Sequence, residues 1–457
     1  MNDTRRSPID LETKKIGTLL KEYAVPGIIA MTASSLYNMV DSIFIGHIPG
    51  SGALAISGVA VCFPLMNLGT AIGTLIGVGA STLVSILLGR KDYENAQKVL
   101  PNVVTLNVVL GAIYSILILL FLKPVLFFFG ASEAIYPFAR DYMVVILIGF
   151  IISHLYFCLN SMIRSTGNPR LAMNLTLFTV IFNAVLDPLF IFTFGMGIRG
   201  AAIATVLCQT ISLAYCLIYF SSEKNVVHFG RRIFAYDARI ARRSLSIGMG
   251  PFLMNTAACL VAMFINQQLR NYGGDFAIGA YGIINRFSFL FLMVVMGLNQ
   301  GMQPIASYNF GAGKPKRVRE VYRLTVAWAT AACMLGFIIC EFFPGPAVSI
   351  FTNDPELKAN AEHGMRIMNC MFPIIGFQIV STNLFQCLGM VKKSILLSLS
   401  RQLLFLLPAL YILPLFYGIE GIWASYPVSD AISSILTIIL IIRLTRQLDR
   451  DALENQI

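Results

Sequence analysis

Residues 103–122 read VVTLNVVLGAIYSILILLFL, a run without a single charged side chain. A helix needs about 20 apolar residues to cross the hydrocarbon core of a bilayer, so this stretch predicts a membrane span. The rest of the chain is similar, because 56% of its 457 residues are hydrophobic and only 12% are charged, whereas soluble domains carry about 25% charge. These values exclude an ordinary soluble enzyme, a disordered chain and a disulfide scaffold.

Apolar runs separated by charged or Gly/Pro-containing breaks predict twelve such spans. They lie near residues 24–48, 54–88, 99–122, 136–160, 171–194, 198–220, 246–269, 277–309, 322–343, 365–388, 394–416 and 421–443. The long polar stretch after the sixth span predicts a linker between two six-helix halves. We therefore expect a cytoplasmic N-terminal segment (1–23), an N-terminal lobe (24–220), a cytoplasmic linker (221–245), a C-terminal lobe (246–443) and a cytoplasmic tail (444–457).

The net charge of +11 is unevenly distributed along this map. Of the 34 Lys and Arg residues, 27 fall in segments on one side of the membrane and 6 on the other, and Arg286 is the only one placed within a span. Cytoplasmic loops of membrane proteins collect Lys and Arg, so both termini are expected in the cytoplasm. The basic excess thus serves topology and contact with anionic lipid, and no nucleic-acid partner is expected.

The two halves share motifs at a nearly constant spacing. Leu88-Gly89-Arg90-Lys91 aligns with Phe310-Gly311-Ala312-Gly313, and Gly79 with Gly301, at an offset of 222 residues. The offset is 221 for Gly197-Ile198-Arg199-Gly200 with Gly418-Ile419-Glu420-Gly421, and 225 for Val25-Pro26 with Gly250-Pro251. Because six spans return the chain to the same side, the halves are predicted to be parallel repeats.

Only three acidic residues lie well inside the predicted spans, namely Asp41, Asp187 and Asp430. An ionisable group there is costly unless it faces a cavity or a partner, so each is a functional candidate. Asp41, Asp187 and Thr205 each lie seven residues from the outer end of their span, a depth of about 10 Å. Asn183 lies one helical turn from Asp187 on the same face.

Two carboxylates, an amide and a hydroxyl at one depth are oxygen ligands suited to a small cation. Without a cation the two carboxylates repel in the low dielectric of the membrane, so the pair can carry a proton instead. The alternative is that Asn, Ser or main-chain groups satisfy the two acids separately.

Three further residues stand out for their position in spans. Pro26 predicts a bend in the first span that moves Asp41. Asp430 has no equivalent acid in the first half, and contact with substrate, a second proton site and bonds to neighbouring serines are equal alternatives for it. Arg286 pairs with an acid, lines a cavity or extends its charge towards the membrane surface.

Together these features resemble the MATE multidrug and toxic compound extrusion transporters, with the overall pattern nearest to the MepA-like bacterial branch. The resemblance rests on the two sets of six helices, on Asp41-Ser42-Ile43-Phe44-Ile45-Gly46-His47, on Asn183-x-x-x-Asp187-Pro188, and on the glycine-rich inner loops at Leu88-Gly89-Arg90 and Asn309-Phe310-Gly311-Ala312-Gly313-Lys314. It covers residues 16–445.

The resemblance implies a V-shaped pair of lobes and export of amphipathic, often cationic, drugs driven by inward Na⁺ or H⁺. It places the cation site at Asp41, Asn183, Asp187 and Thr205, and substrate contacts at Tyr37 and Asn160, to which we add Arg286 and Asp430 as candidates. We expect a monomer in the bacterial cytoplasmic membrane that has no enzymatic activity and needs no cofactor beyond the coupling ion. A lipid-linked oligosaccharide flippase of the same superfamily is the alternative.

Overall fold

The computed structural model describes residues 9–230, 233–351 and 354–454, and every regular element in these ranges is helical. Within these ranges, ten helices are long and apolar enough to cross a membrane. In chain order they are Ile16–Gly46 (span 1), Leu54–Gly89 (span 2), Tyr93–Leu120 (span 3), Pro169–Thr193 (span 5), Ile198–Ser221 (span 6), Ala238–Gly274 (span 7), Ala277–Gly311 (span 8), Pro315–Phe342 (span 9), Val391–Tyr417 (span 11) and Ile419–Gln447 (span 12).

Two bent pairs of helices complete the set. Span 4 consists of Tyr136–Ile148 and Phe150–Ser165, bent by 54°, and span 10 of Pro355–Asn369 and Phe372–Cys387, bent by 52°. The two bends occupy equivalent places in the two halves of the chain. With each pair counted as one span the total is twelve, and the predicted all-helical membrane fold is confirmed.

Shorter elements connect or interrupt the spans. The α-helices Ile9–Thr13, Leu122–Phe128 and Pro344–Ser349 lie between them. Span 5 ends in a π-helix, Leu189–Thr193, and span 11 contains another, Ser400–Leu406. Such wide turns are frequent at functional sites.

Several helices extend beyond the apolar runs that predicted them. Span 1 begins at Ile16, span 7 at Ala238, and the last helix continues to Glu454, inside the expected segments 1–23, 221–245 and 444–457. Hydropathy marks the part of a helix that lipid covers, and polar turns continue it into water. Residues 1–8, 231–232 and 455–457 of these segments lie outside the described residues.

The chain forms two compact units. The described residues of 1–13 and 29–252 form unit 1, and those of 14–28 and 253–454 form unit 2. The first part of span 1 therefore belongs to the unit built by the second half of the sequence, and the first part of span 7 to the unit built by the first half. Both changes of unit follow a proline closely, Pro26 in span 1 and Pro251 in span 7.

Each exchanged segment packs closely against a glycine of its unit. A Cβ atom on Gly79 of unit 1 would lie 2.2 Å from the main-chain oxygen of Ser244, and one on Gly301 of unit 2 would lie 2.6 Å from the Cα atom of Ala24. These glycines are the repeat partners found in the sequence. Any larger side chain at either position would displace the neighbouring helix.

The loops preserve the repeat as well. Gly197 and Gly418 precede spans 6 and 12 with nearly identical dihedral angles, φ 55° and ψ −137° against φ 56° and ψ −131°. The turns after spans 2 and 8 both contain a residue with positive φ, Lys91 at 59° and Gly313 at 69°. Only the first of these turns uses a residue with a side chain.

Candidate functional site

Asp187 is the most deeply buried of the predicted site residues, with no exposed surface. It is followed by Pro188, which has no N–H group to donate to the main-chain oxygen one turn earlier. The π-helix begins at the next residue. A buried acid, a proline and a widened helical turn therefore follow one another near the end of span 5.

The structure brings the four predicted cation ligands together within unit 1. The side chains of Asp41 and Asp187 are neighbours. Asn183 Nδ2 donates to Thr205 Oγ1 at 3.4 Å. Asp41 is 8% exposed and Asn183 1%. The equal depth inferred from the sequence therefore corresponds to a cluster in space.

Thr205 has a full set of hydrogen bonds. Its hydroxyl donates to the main-chain oxygen of Ala201 at 3.1 Å, so Tyr37, whose OH lies 2.9 Å from Thr205 Oγ1, acts as donor to it. Since Asn183 donates to the same oxygen, both lone pairs of Thr205 are occupied. In this arrangement Thr205 orients Tyr37 and Asn183 and offers no free oxygen.

The free oxygens belong to the acids and the amide. Asp41 Oδ1, Asn183 Oδ1 and both carboxylate oxygens of Asp187 are buried and accept no hydrogen bond from any described residue. Ionised carboxylates accept and do not donate. These four buried acceptors, three of them on the carboxyl groups of Asp41 and Asp187, have no donor among the described residues, so a proton, a cation or an ordered water can bind there. Because no described residue donates to these oxygens, the structure disfavours the alternative that neighbouring groups satisfy each acid separately.

Asn160 lies in a second polar network of unit 1. Its Nδ2 atom is within hydrogen-bonding distance of Tyr156 OH (3.1 Å), Thr176 Oγ1 (3.2 Å) and the main-chain oxygen of Ala172 (3.2 Å). Asn160 Oδ1 is buried and accepts no bond from the described residues. The amide is therefore fixed while its oxygen remains free to accept.

This second network adjoins the acid cluster along span 5. Thr179 Oγ1 lies 2.8 Å from Ser212 Oγ and donates towards Tyr156 OH at 3.3 Å. Thr176, Thr179, Asn183 and Asp187 succeed one another at helical spacing, so polar groups follow one face of span 5 for three turns. Sequence analysis did not predict this polar face, although the spacing of three or four residues between its members indicates one side of a helix.

In unit 2 the predicted residue Asp430 has a partner that sequence analysis did not name. Asp430 Oδ1 accepts a hydrogen bond from Arg401 Nε at 2.7 Å, and the side chain of Asp430 is 3% exposed. Ser429 Oγ donates to the main-chain oxygen of Arg401 at 2.7 Å. The partner of the Asp430 carboxylate is thus an arginine, while of the neighbouring serines Ser433 donates to the main-chain oxygen of Asp430 at 3.3 Å.

The expectation that Arg286 is the only cation within a span is therefore wrong. Arg401 is among the 27 Lys and Arg residues that the sequence analysis assigns to the cytoplasmic side, in the loop before span 11. The structure begins span 11 at Val391, which places Arg401 about 15 Å along the helix. Its position seven residues inside the predicted span 394–416 was the signal. Arg286 itself is exposed in span 8, and Pro26 is buried in span 1.

Comparison with known proteins identifies the fold. The family model MatE matches residues 26–189 and 251–412, so one family pattern occurs once in each half. The multidrug export protein MepA of Staphylococcus haemolyticus is 25% identical over 442 residues, which are 96% of each chain. MepA of Staphylococcus aureus is 25% identical over 97% of each chain.

Solved structures agree. The MATE multidrug transporter DinF-BH, determined in complex with R6G, is 35% identical, covers 94% of this chain with 96% of its own, and superposes with a TM-score of 0.87. The predicted resemblance to MATE transporters and to MepA is confirmed. With the family pattern in both halves and twelve spans, the chain belongs to the MatE family and is a multi-pass membrane transporter, not an enzyme.

Proposed function

We propose that this transporter exports amphipathic, often cationic, compounds in exchange for inward Na⁺ or H⁺ bound between Asp41 and Asp187. The names of its relatives support the cargo class, since MepA and DinF-BH are described as multidrug transporters. The single observation that carries the coupling site is the set of four buried acceptor oxygens that have no donor among the described residues. Two facing carboxyl groups are stable there only when a cation or a proton joins them.

Binding of the ion changes the charge of unit 1. The empty site carries two negative charges in a low dielectric, and an entering Na⁺ or H⁺ removes one of them. Asp41 lies on span 1, fifteen residues beyond Pro26, where the missing main-chain hydrogen bond makes bending easy. Bending at Pro26 then couples ion binding to a change in the cargo site.

Such coupling requires that the ion bind the two conformations with different affinity. Tyr37 connects the ion site to the cargo site, because its hydroxyl binds Thr205 while it is itself a proposed cargo contact. Asn160 supplies a free acceptor oxygen to the cargo. In unit 2 we retain Arg286 and Asp430 as cargo candidates, with Asp430 acting through Arg401.

The setting follows from the family and the charge distribution. We propose a monomer in the bacterial cytoplasmic membrane with both termini in the cytoplasm, surrounded by lipid. It needs no cofactor beyond the coupling ion and binds no nucleic acid.

The test is transport in proteoliposomes, with a Na⁺ gradient and a pH gradient imposed separately. We expect ethidium export with at least one gradient, and loss of export in Asp41→Asn under the same gradient. Asp141→Asn is the matched control, because Asp141 is an acid paired with the exposed Arg199.

A binding measurement separates the two ions. If Na⁺ is coupled, isothermal titration detects Na⁺ binding to the wild-type protein and no Na⁺ binding to Asp41→Asn. If H⁺ is coupled, only the pH gradient drives export. Undiminished export by Asp41→Asn contradicts the proposed site, and transport of a lipid-linked oligosaccharide in place of ethidium favours the flippase alternative.

A further inference from the structure

The ion pair of Arg401 and Asp430 in unit 2 leaves most of the guanidinium unused. Asp430 accepts from Nε only, and Arg401 Nη1 and Nη2 form no hydrogen bond within the part of the chain that the structure describes. The arginine side chain is 27% exposed. A guanidinium has five N–H donors, so its outer edge remains available.

The arginine is held at two points. Ser429 binds its main-chain oxygen, and the adjacent Asp430 binds its Nε atom, at 2.7 Å each. The two hydrogen bonds are made by consecutive residues of span 12, and Arg401 itself lies in the π-helix of span 11. The main chain of Arg401 and its Nε atom are therefore both held before any ligand arrives, which reduces the entropy lost on binding.

The fold itself does not require a charged pair at this place. At the repeat offsets of 222 and 221, Arg401 and Asp430 correspond to Thr179 and Gln209. Thr179 is held by neutral hydrogen bonds to Ser212 and Tyr156. Since unit 1 packs the same place with neutral groups, the arginine of unit 2 calls for a separate explanation.

The unused edge has a definite chemistry. Two parallel N–H donors of a guanidinium match the two oxygens of a carboxylate or phosphate. A cationic cargo group gains nothing from them. Asp430 holds the arginine without covering this edge, because its second oxygen, Oδ2, forms no bond with any described residue either.

We propose that Arg401 is an oxyanion-binding residue that receives the carboxylate or phosphate group of an amphipathic ligand, with Asp430 and Ser429 as its positioning residues. This extends the proposed export function to cargo that carries an anionic group. The same chemistry is found in an anionic lipid headgroup, so the experiment distinguishes a cargo carboxylate from a lipid phosphate.

The test compares two rhodamine dyes that share one xanthene cation, one with a free carboxylate and the other with its ethyl ester. Fluorescence polarisation measures their binding to the purified full-length protein in detergent. In wild type we expect the carboxylate dye to bind more tightly. In Arg401→Gln we expect its affinity to fall about tenfold or more, as for a lost charged hydrogen bond, with less than a twofold change for the ester.

A second variant separates ligand binding from a structural role. Asp430→Asn removes the negative charge but keeps an Oδ1 atom that can accept the bond from Arg401 Nε. The guanidinium then stays in position, and the carboxylate dye is expected to bind at least as tightly as to wild type. If the ion pair were only structural, Arg401→Gln and Asp430→Asn would weaken both dyes in parallel. Arg199→Gln, on an exposed arginine of unit 1, is the matched control and should change neither dye.

The lipid arm uses nanodiscs of phosphatidylcholine with and without phosphatidylglycerol. Competition by phosphatidylglycerol with the carboxylate dye, absent in Arg401→Gln, identifies a lipid phosphate as a ligand of the same residue. Equal affinity of wild type for both dyes, together with no competition by phosphatidylglycerol, overturns the proposal. Because binding is measured without an ion gradient, this failure is distinct from failure of ion-coupled export.

Discussion

The two units treat their buried charges in opposite ways. In unit 1 two carboxyl groups, Asp41 and Asp187, face each other, while in unit 2 the carboxylate of Asp430 faces a guanidinium. Yet both units have a bent span, a π-helix and matching turns. The shared frame therefore permits either arrangement, and the difference lies in where the compensating positive charge comes from.

From this difference we propose that the two units have separate roles in transport. A site with two carboxyl groups changes its net charge whenever a cation or proton enters or leaves. A site with a tethered guanidinium remains neutral, because arginine does not lose its proton in proteins. We infer that ion coupling belongs to unit 1, while unit 2 offers a constant electrostatic environment to its ligand.

The sharpest way to break this comparison is to neutralise one acid in each unit. We expect Asp187→Asn to reduce ion-driven ethidium export about 100-fold or more, because the site can no longer respond to the ion. Asp430→Asn should leave it within about threefold, since ethidium has no anionic group for Arg401. Initial rates in proteoliposomes with equal protein content provide the measurement. Equal losses in both variants would remove the functional distinction between the units.

The ion pair of unit 2 should respond to mutation as a coupled unit. Removing one partner of a buried pair costs about 3–5 kcal/mol, and Arg401→Gln should cost more than Asp430→Asn because it leaves the more deeply buried charge unpaired. The double variant should cost less than the sum of the two single ones. Denaturant unfolding in detergent measures these energies, and strict additivity would contradict a direct interaction.

Thr205 provides a test within unit 1. It fixes Asn183 and Tyr37 without offering a free oxygen, so Thr205→Val should weaken ion binding about tenfold through loss of orientation, corresponding to one or two hydrogen bonds. Thr210→Val is the matched control, since Thr210 is an exposed threonine on the same helix that bonds only its own helix. Ion affinity, measured by calorimetry, should be unchanged in the control.

The turns after spans 2 and 8 give the smallest expected effect. Lys91 has a positive φ where its repeat partner is Gly313, and this conformation costs a residue with a Cβ atom about 1 kcal/mol. Lys91→Gly should therefore raise the unfolding temperature by about 1 °C, and Gly313→Lys should lower it. Lys91→Ala, which removes the charge but keeps the Cβ atom, should resemble wild type in a thermal-shift assay.

The sequence predicted those features that depend on constant helix geometry. Asp41, Asp187 and Thr205 could be placed in one layer because each residue adds the same rise to a helix. Arg401 was missed because its helix starts before the apolar run, and a charge near the end of such a run looks like part of a loop. Its pairing with Asp430, 29 residues later, depends on how two helices pack, which hydropathy does not encode.

The saturation of Thr205 was likewise beyond sequence analysis. Residue type identifies a hydroxyl as a potential ligand, but whether its lone pairs are free depends on the neighbours that packing supplies. The exchange of helix segments between the units was also beyond sequence analysis, since nothing in the sequence of residues 14–28 shows which unit they join.

That exchange has a consequence for the chain as a gene product. A cut in the loop between spans 6 and 7 yields two fragments, each of which retains a segment that the other fragment's unit needs. Neither fragment contains all of its own unit, so only co-expressed fragments can rebuild both. A six-helix protein with the same exchange would be complete only as a pair of copies, each supplying its first segment to the unit of the other.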